Sequence, residues 1–169
     1  MIATLPKLVK KYHASGVLLD SNLLLLLFVG LVSPELVNHF KRTQNQGFTE
    51  REFIFLQNPV KSFKRVITTP HILTETSNYI GQLKGESREL ALRLIADTIP
   101  AFKERRPEAR HLVQTGGFMN FGLTDSAILD LPPRKYLVLS VDVLLVLALN
   151  QKGVDAINFN RLLPRLWQS

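Results

Sequence analysis

Three short apolar runs, each followed at once by a helix-start signal, constrain this chain more than any other feature. Gly16-Val17-Leu18-Leu19-Asp20 stays apolar until its final acid, as a parallel strand buried on both faces does. Arg65-Val66-Ile67-Thr68-Thr69 is β-branched, and Pro70 opens a helix carrying Leu73, Glu75, Ser77, Asn78 and Ile80 before Gly81. Tyr136-Leu137-Val138-Leu139-Ser140 leads into a helix from Asp142 to Gln151 that Gly153 stops, and residues 155–159 form a last short strand. Strands alternating with helices predict an α/β protein whose central parallel sheet is covered on both faces.

The intervening sequence is mostly helical. Ser33 and Pro34 form a helix start, Gln46-Gly47 a break, and Thr49 with Glu52 a capping box. Helical periodicity spans residues 87–103, and Pro107 ends that stretch. A weaker strand is expected at residues 111–114, and Thr124 is expected to cap a short helix whose first residue is Asp125. Residues 23–32 are continuously apolar but well short of the roughly 20 residues a membrane span needs. They read as a buried core helix, or else as part of an interface with a partner. With 169 residues and neither linker nor repeat, residues 1–169 read as a single domain.

Composition narrows the chemistry. Cysteine is absent, which excludes disulfides, thiol catalysis and cysteine-rich zinc sites and fits a reducing, cytoplasmic setting. His13, His39, His71 and His111 show no helical zinc spacing, so any metal would be held by carboxylates, which suits magnesium or manganese. The formal net charge of +7 draws polyanions, nucleic acid among them.

In open parallel sheets, ligands bind beyond the carboxyl ends of the strands. Asp20 ends the first strand, Asp142 follows the run 136–140, Asp125 opens a helix, and Glu75 lies about one turn into the helix after the second strand. Each has a local alternative: Asp125 and Asp142 offset a helix dipole, Asp20 shapes a turn, and Glu75 is a helix-surface residue. Gathered together, the four would repel one another unless a cation intervened. On that reasoning Asp20→Asn is expected to leave the metal-free protein at least as stable as its parent.

The ordered set resembles the PIN-domain nucleases. Leu18-Leu19-Asp20-Ser21-Asn22 is similar to their opening motif, and Glu75-Thr76-Ser77-Asn78 to the second. Leu123-Thr124-Asp125-Ser126-Ala127 resembles the third, Leu139-Ser140-Val141-Asp142 the fourth, and residues 153–159 the closing strand. The likeness covers residues 16–160 as a family-like core, behind an N-terminal extension of residues 1–15. Two departures are that extension and the long stretch between Asp20 and Glu75.

This resemblance implies a PIN-like three-layer α/β/α fold with a central sheet of four to five strands. It also implies a divalent-metal-dependent endoribonuclease that hydrolyses RNA phosphodiester bonds. Asp20, Glu75, Asp125 and Asp142 would bind magnesium or manganese, and Asn22, Asn78, Thr124 and Ser140 would orient those carboxylates or water. Lys61, Lys64, Arg65, Lys84, Arg105 and Arg106, with Lys103 and Arg110, are the candidate contacts to the RNA backbone. Toxin members of the family pair with a small antitoxin protein, which makes an antitoxin or a homodimer the candidate protein partner; no membrane is involved. The same acids leave open a DNA-directed nuclease and a catalytically silent PIN-like module that binds RNA or protein.

Overall fold

The computed structural model describes residues 5–163. Its strands are β1 (Val17–Leu19), β2 (Val66–Thr68), β3 (Lys103–Glu104), β4 (Leu137–Ser140) and β5 (Ala156–Asn158). They form one all-parallel sheet in the order β3-β2-β1-β4-β5. The chain steps outward from β1 through β2 to β3, crosses back to β4 on the other side of β1, and finishes outward on β5. The direction reverses between β1 and β4, whose register sets Val17 against Leu137 and Leu19 against Leu139. Right-handed crossovers running in opposite directions from that point put helices on both faces. Covered on both sides, β1 and β4 are buried at every position, which is why their sequences are unbroken apolar runs.

The helices are α1 (Leu5–Tyr12), α2 (Ser21–Val32), α3 (Pro34–His39), α4 (Lys41–Asn45), α5 (Glu50–Lys61), α6 (Pro70–Ile80), α7 (Gly85–Thr98), α8 (Ala109–Leu112), α9 (Phe118–Leu129) and α10 (Val143–Gln151). Helix α2 is apolar on all sides and therefore central, with α3, α5, α6 and α7 packed around it. Leu23 to Gly30 are all buried, so this segment is core and presents little surface to a partner. No helix among the described residues is long and apolar enough to cross a membrane. The capping box of α5 forms as expected, with Thr49 accepting from Arg51 and Glu52 accepting from the Thr49 N–H at 2.7 Å.

Three local expectations are corrected. Helix α7 stops at Thr98 because Pro100 sits in a 3₁₀ turn over Ile99–Ala101, and the residues beyond it are extended. They form β3, where Lys103 pairs with Ile67 and Glu104 with Thr68. Residues 111–114 are not a strand: α8 and the turn after it occupy them. Thr124 makes no cap. Gly122, at φ 71° and ψ −172°, breaks α9, so the helix resumes two residues earlier and Asp125 falls within its first turn.

Of the N-terminal extension, residues 1–4 lie outside the described residues. The rest is built into the fold, since α1 buries Leu8 and Tyr12, and the Tyr12 hydroxyl donates to Asp155 at 2.6 Å.

The tightest contact around α2 is at Gly30. A Cβ there would lie 2.1 Å from the ring of Phe53 on α5, which is itself buried. Gly30→Ala should therefore cost about 1–3 kcal/mol through overpacking and lower the melting temperature by several degrees. A variant that melts with the parent would show that α5 shifts without cost.

Candidate active site

The reversal point between β1 and β4 leaves a crevice at the carboxyl edge of the sheet, and Asp20 sits in it. Its N–H donates to Leu139 O at 3.1 Å, continuing the β1–β4 ladder by one residue. Its carboxylate then does two things. Oδ1 accepts the Leu23 N–H at 2.8 Å and caps α2, and Oδ2 accepts the Val141 N–H at 2.8 Å from the far side of the crevice. At 5% exposure, burial pushes this carboxyl up. The Ser140 hydroxyl and the two backbone N–H groups pull it down, and the charge of Asp142 adds to the rise.

Asp142 caps α10, with Oδ1 accepting from Leu145 N at 3.0 Å. Its own N–H donates to Ser140 Oγ at 3.0 Å, so the buried Ser140 hydroxyl bonds the Asp20 carboxylate and the Asp142 backbone together. Asn158 of β5 supports the loop from behind, donating to Val141 O at 3.0 Å.

Helix α6 delivers Glu75. Thr69 caps it by accepting from Ile72 N at 3.2 Å, with Pro70 in the first turn. Glu75 is then held at both oxygens, by Ser21 Oγ at 2.6 Å and by the Tyr79 hydroxyl at 2.6 Å.

Among the described residues Asp125 has no such partners. Its carboxyl is pushed up to about 7, first by burial and then by the charges of Asp20, Asp142 and Glu75. Asp125 lies within electrostatic reach of the other three. The four acids separated by up to 122 positions in sequence thus share one electrostatic environment at one sheet edge.

Among the described residues, no three acidic or histidine side chains are gathered closely enough to ligate one ion as they stand. The chemistry of the donors still fits a hard cation. All are oxygens, and magnesium keeps most of its waters while touching one or two carboxylates. Two buried oxygens beside the acids in sequence, Asn22 Oδ1 and Ser126 Oγ, have no hydrogen-bond partner among the described residues. Buried polar atoms are rarely left so, and water or a ligand satisfies them when the protein does not.

A groove of about 350 Å³ runs beside Glu75, lined also by His71, Thr74, Asn78, Leu123 and Thr124. Of the four polar residues expected to support the acids, Ser140 bonds the Asp20 carboxylate and the Asp142 backbone, Asn22 brings a buried oxygen, and Asn78 and Thr124 line this groove.

The expected cations divide by edge. Arg105 follows β3, its N–H donating to Thr68 O at 2.8 Å, so Arg105 and the neighbouring Arg106 lie on the acidic edge, the latter paired with Glu104. Lys61, Lys64 and Arg65 precede β2 in a parallel sheet and so lie at the opposite edge, which removes them from the site. Lys84 follows α6, about 16 Å of helix beyond Pro70, and is removed as well. Arg110 is paired with Glu108.

Ser21 and Tyr79, which hold Glu75, were not among the expected residues. Tyr79 carries a readable signal, since it stands four positions after Glu75 on one helix face. Ser21 had none, because its contact joins residues 54 positions apart. Comparison with protein-family models, with curated proteins and with solved structures finds no match.

The acids divide into a tied pair member and an untied one, and their substitutions should differ. The expectation that Asp20→Asn is harmless without metal does not survive its hydrogen bonds. An amide offers one acceptor where two backbone N–H groups need one each, so the variant should lose about 1–3 kcal/mol. Asp125 should behave oppositely. The unfolded chain releases its proton near 3.8 and the native chain near 7, so metal-free stability falls as pH rises through that window and levels off above it. In EDTA, Asp125→Asn should melt above the parent at pH 8, with the gap shrinking toward pH 5. Thermal melts in which both variants respond alike would contradict this division.

Proposed function

We propose that this chain is a divalent-metal-dependent endoribonuclease with a PIN-like active site. The observation that carries the reading is that Asp20, Glu75, Asp125 and Asp142 lie within electrostatic reach of one another at the carboxyl edge of the sheet, beside its reversal point. Four like charges at one crevice are unfavourable alone and become useful when a cation is bound.

Asp125, Asp142 and Glu75 would hold magnesium or manganese, directly or through water, with Asp20 fixed behind them by its two N–H donors. When bound, the ion lowers the pKa of its water and offsets charge developing on the phosphate oxygens. The Ser140 hydroxyl bonds the Asp20 carboxylate and accepts the Asp142 backbone N–H, which holds the two aspartates in one loop arrangement. The groove between Glu75 and Thr124 takes the strand, and Arg105 stands on the same edge to meet its phosphates. Preference for RNA rests on the resemblance of the motifs.

The alternative is a silent module that binds RNA or protein without cutting. It is favoured by the capping duties of Asp20 and Asp142, which are complete without an ion.

Purified chain, free of any small inhibitory protein, should cut single-stranded RNA in manganese or magnesium and stop in EDTA. Asp125→Asn and Asp142→Asn should each slow cleavage by about two orders of magnitude or more, as expected when several kcal/mol of charge stabilisation is lost. Manganese binding with RNA and DNA left intact would replace this reading with the silent module.

A further inference from the structure

The stretch between Asp20 and Glu75 is where this chain departs from the shorter pattern, and it brings a cation to the site. Arg42 lies on α4, its guanidinium carbon 3.7 Å from the centre of the Tyr79 ring. Tyr79 is the residue whose hydroxyl donates to Glu75 Oε1 at 2.6 Å, so Arg42 stands one side chain away from an acid of the site. None of the ion pairs among the described residues uses Arg42, and its Nε is buried without a hydrogen-bond partner.

A half-buried guanidinium with an unused N–H is costly unless something polar reaches it. The Tyr79 hydroxyl lies within its reach, whereas the Glu75 oxygens are taken by Ser21 and Tyr79. Stacking occupies the flat of the guanidinium, and with Nε enclosed it is the terminal N–H groups that match two oxygens of a phosphate. The ring fixes the plane of the fork and so reduces the entropy lost on binding.

We propose that Arg42 is a substrate-binding residue that takes a backbone phosphate of the nucleic-acid strand next to the one being cut. The proposal rests on the nuclease reading for its substrate class, and it assigns Tyr79 two duties. Its hydroxyl holds Glu75 and its ring holds Arg42, so the same side chain sets the distance between the acid and the phosphate contact.

The test is binding of a fluorescently labelled single-stranded RNA oligonucleotide, followed by anisotropy across a salt series, with calcium in place of magnesium to suppress turnover. Arg42→Ala should weaken binding roughly tenfold and flatten the log–log salt dependence by about one. Arg42→Lys should recover part of the affinity and Arg42→Gln none. If Arg42→Ala melts well below the parent, the comparison between the Lys and Gln variants decides alone, because both keep a long stem over the ring. Equal affinity of those two, or an Arg42→Ala that binds as the parent does, overturns the proposal. Parent protein that binds RNA through Arg42 but never cuts it in manganese sinks the nuclease reading and leaves the phosphate contact standing. Cleavage with no dependence on Arg42 for binding does the reverse, and a parent that binds no oligonucleotide sinks both.

Discussion

The carboxylate of Asp20 is the junction on which the architecture of this site depends. One oxygen caps the central helix α2, and the other reaches across the crevice to the backbone after β4. The first bond sets the direction in which the most buried helix leaves the sheet. The second joins the strands on either side of the reversal point, where no connecting loop does so. A lone buried carboxylate is unfavourable, and these two N–H donors together with the Ser140 hydroxyl offset that cost. The crevice therefore has a fixed wall before any ligand arrives.

Against that wall the remaining acids differ in how firmly they are held. Asp142 is a cap, tied to α10 at one oxygen, and Glu75 is clamped at both. Asp125 is left with burial and repulsion, which hold its proton to about 7. Such a division suits a site whose geometry must persist while its charge changes. The tied acids keep the shape, and the untied one supplies the charge that responds to a proton. Its helix begins at a glycine with positive φ, which sets Asp125 in a first turn where the N-terminal dipole helps bear the negative charge.

Much of this was legible along the chain, for physical reasons that can be named. Strands buried on both faces must be apolar throughout, so β1 and β4 stand out, as do the acids that end them. The capping box of α5 and the Thr69-Pro70 start of α6 are local signals and formed locally. What could not be read depends on distance in sequence. Two-residue β3 has no pattern of its own and exists only because β2 offers it a ladder. Residues 111–114 carry strand-like character but meet no free edge. The cations divided, because a lysine before a strand and an arginine after one look alike until strand direction is known. Arg42 gave no sign, since what distinguishes it is the ring of Tyr79, 37 positions later.

The double duty of Asp20 changes what that residue can reveal about related chains. A descendant that abandoned catalysis would still need an acceptor for the N–H groups of Leu23 and Val141, so folding alone would preserve the aspartate. Asp125 has no such protection, because relieving its repulsion makes the fold more comfortable. In a lineage drifting away from chemistry, the untied acid should be the first to go and the tied one the last. A surviving Asp20 would then mark inherited architecture, and only a surviving Asp125 would speak for a working site.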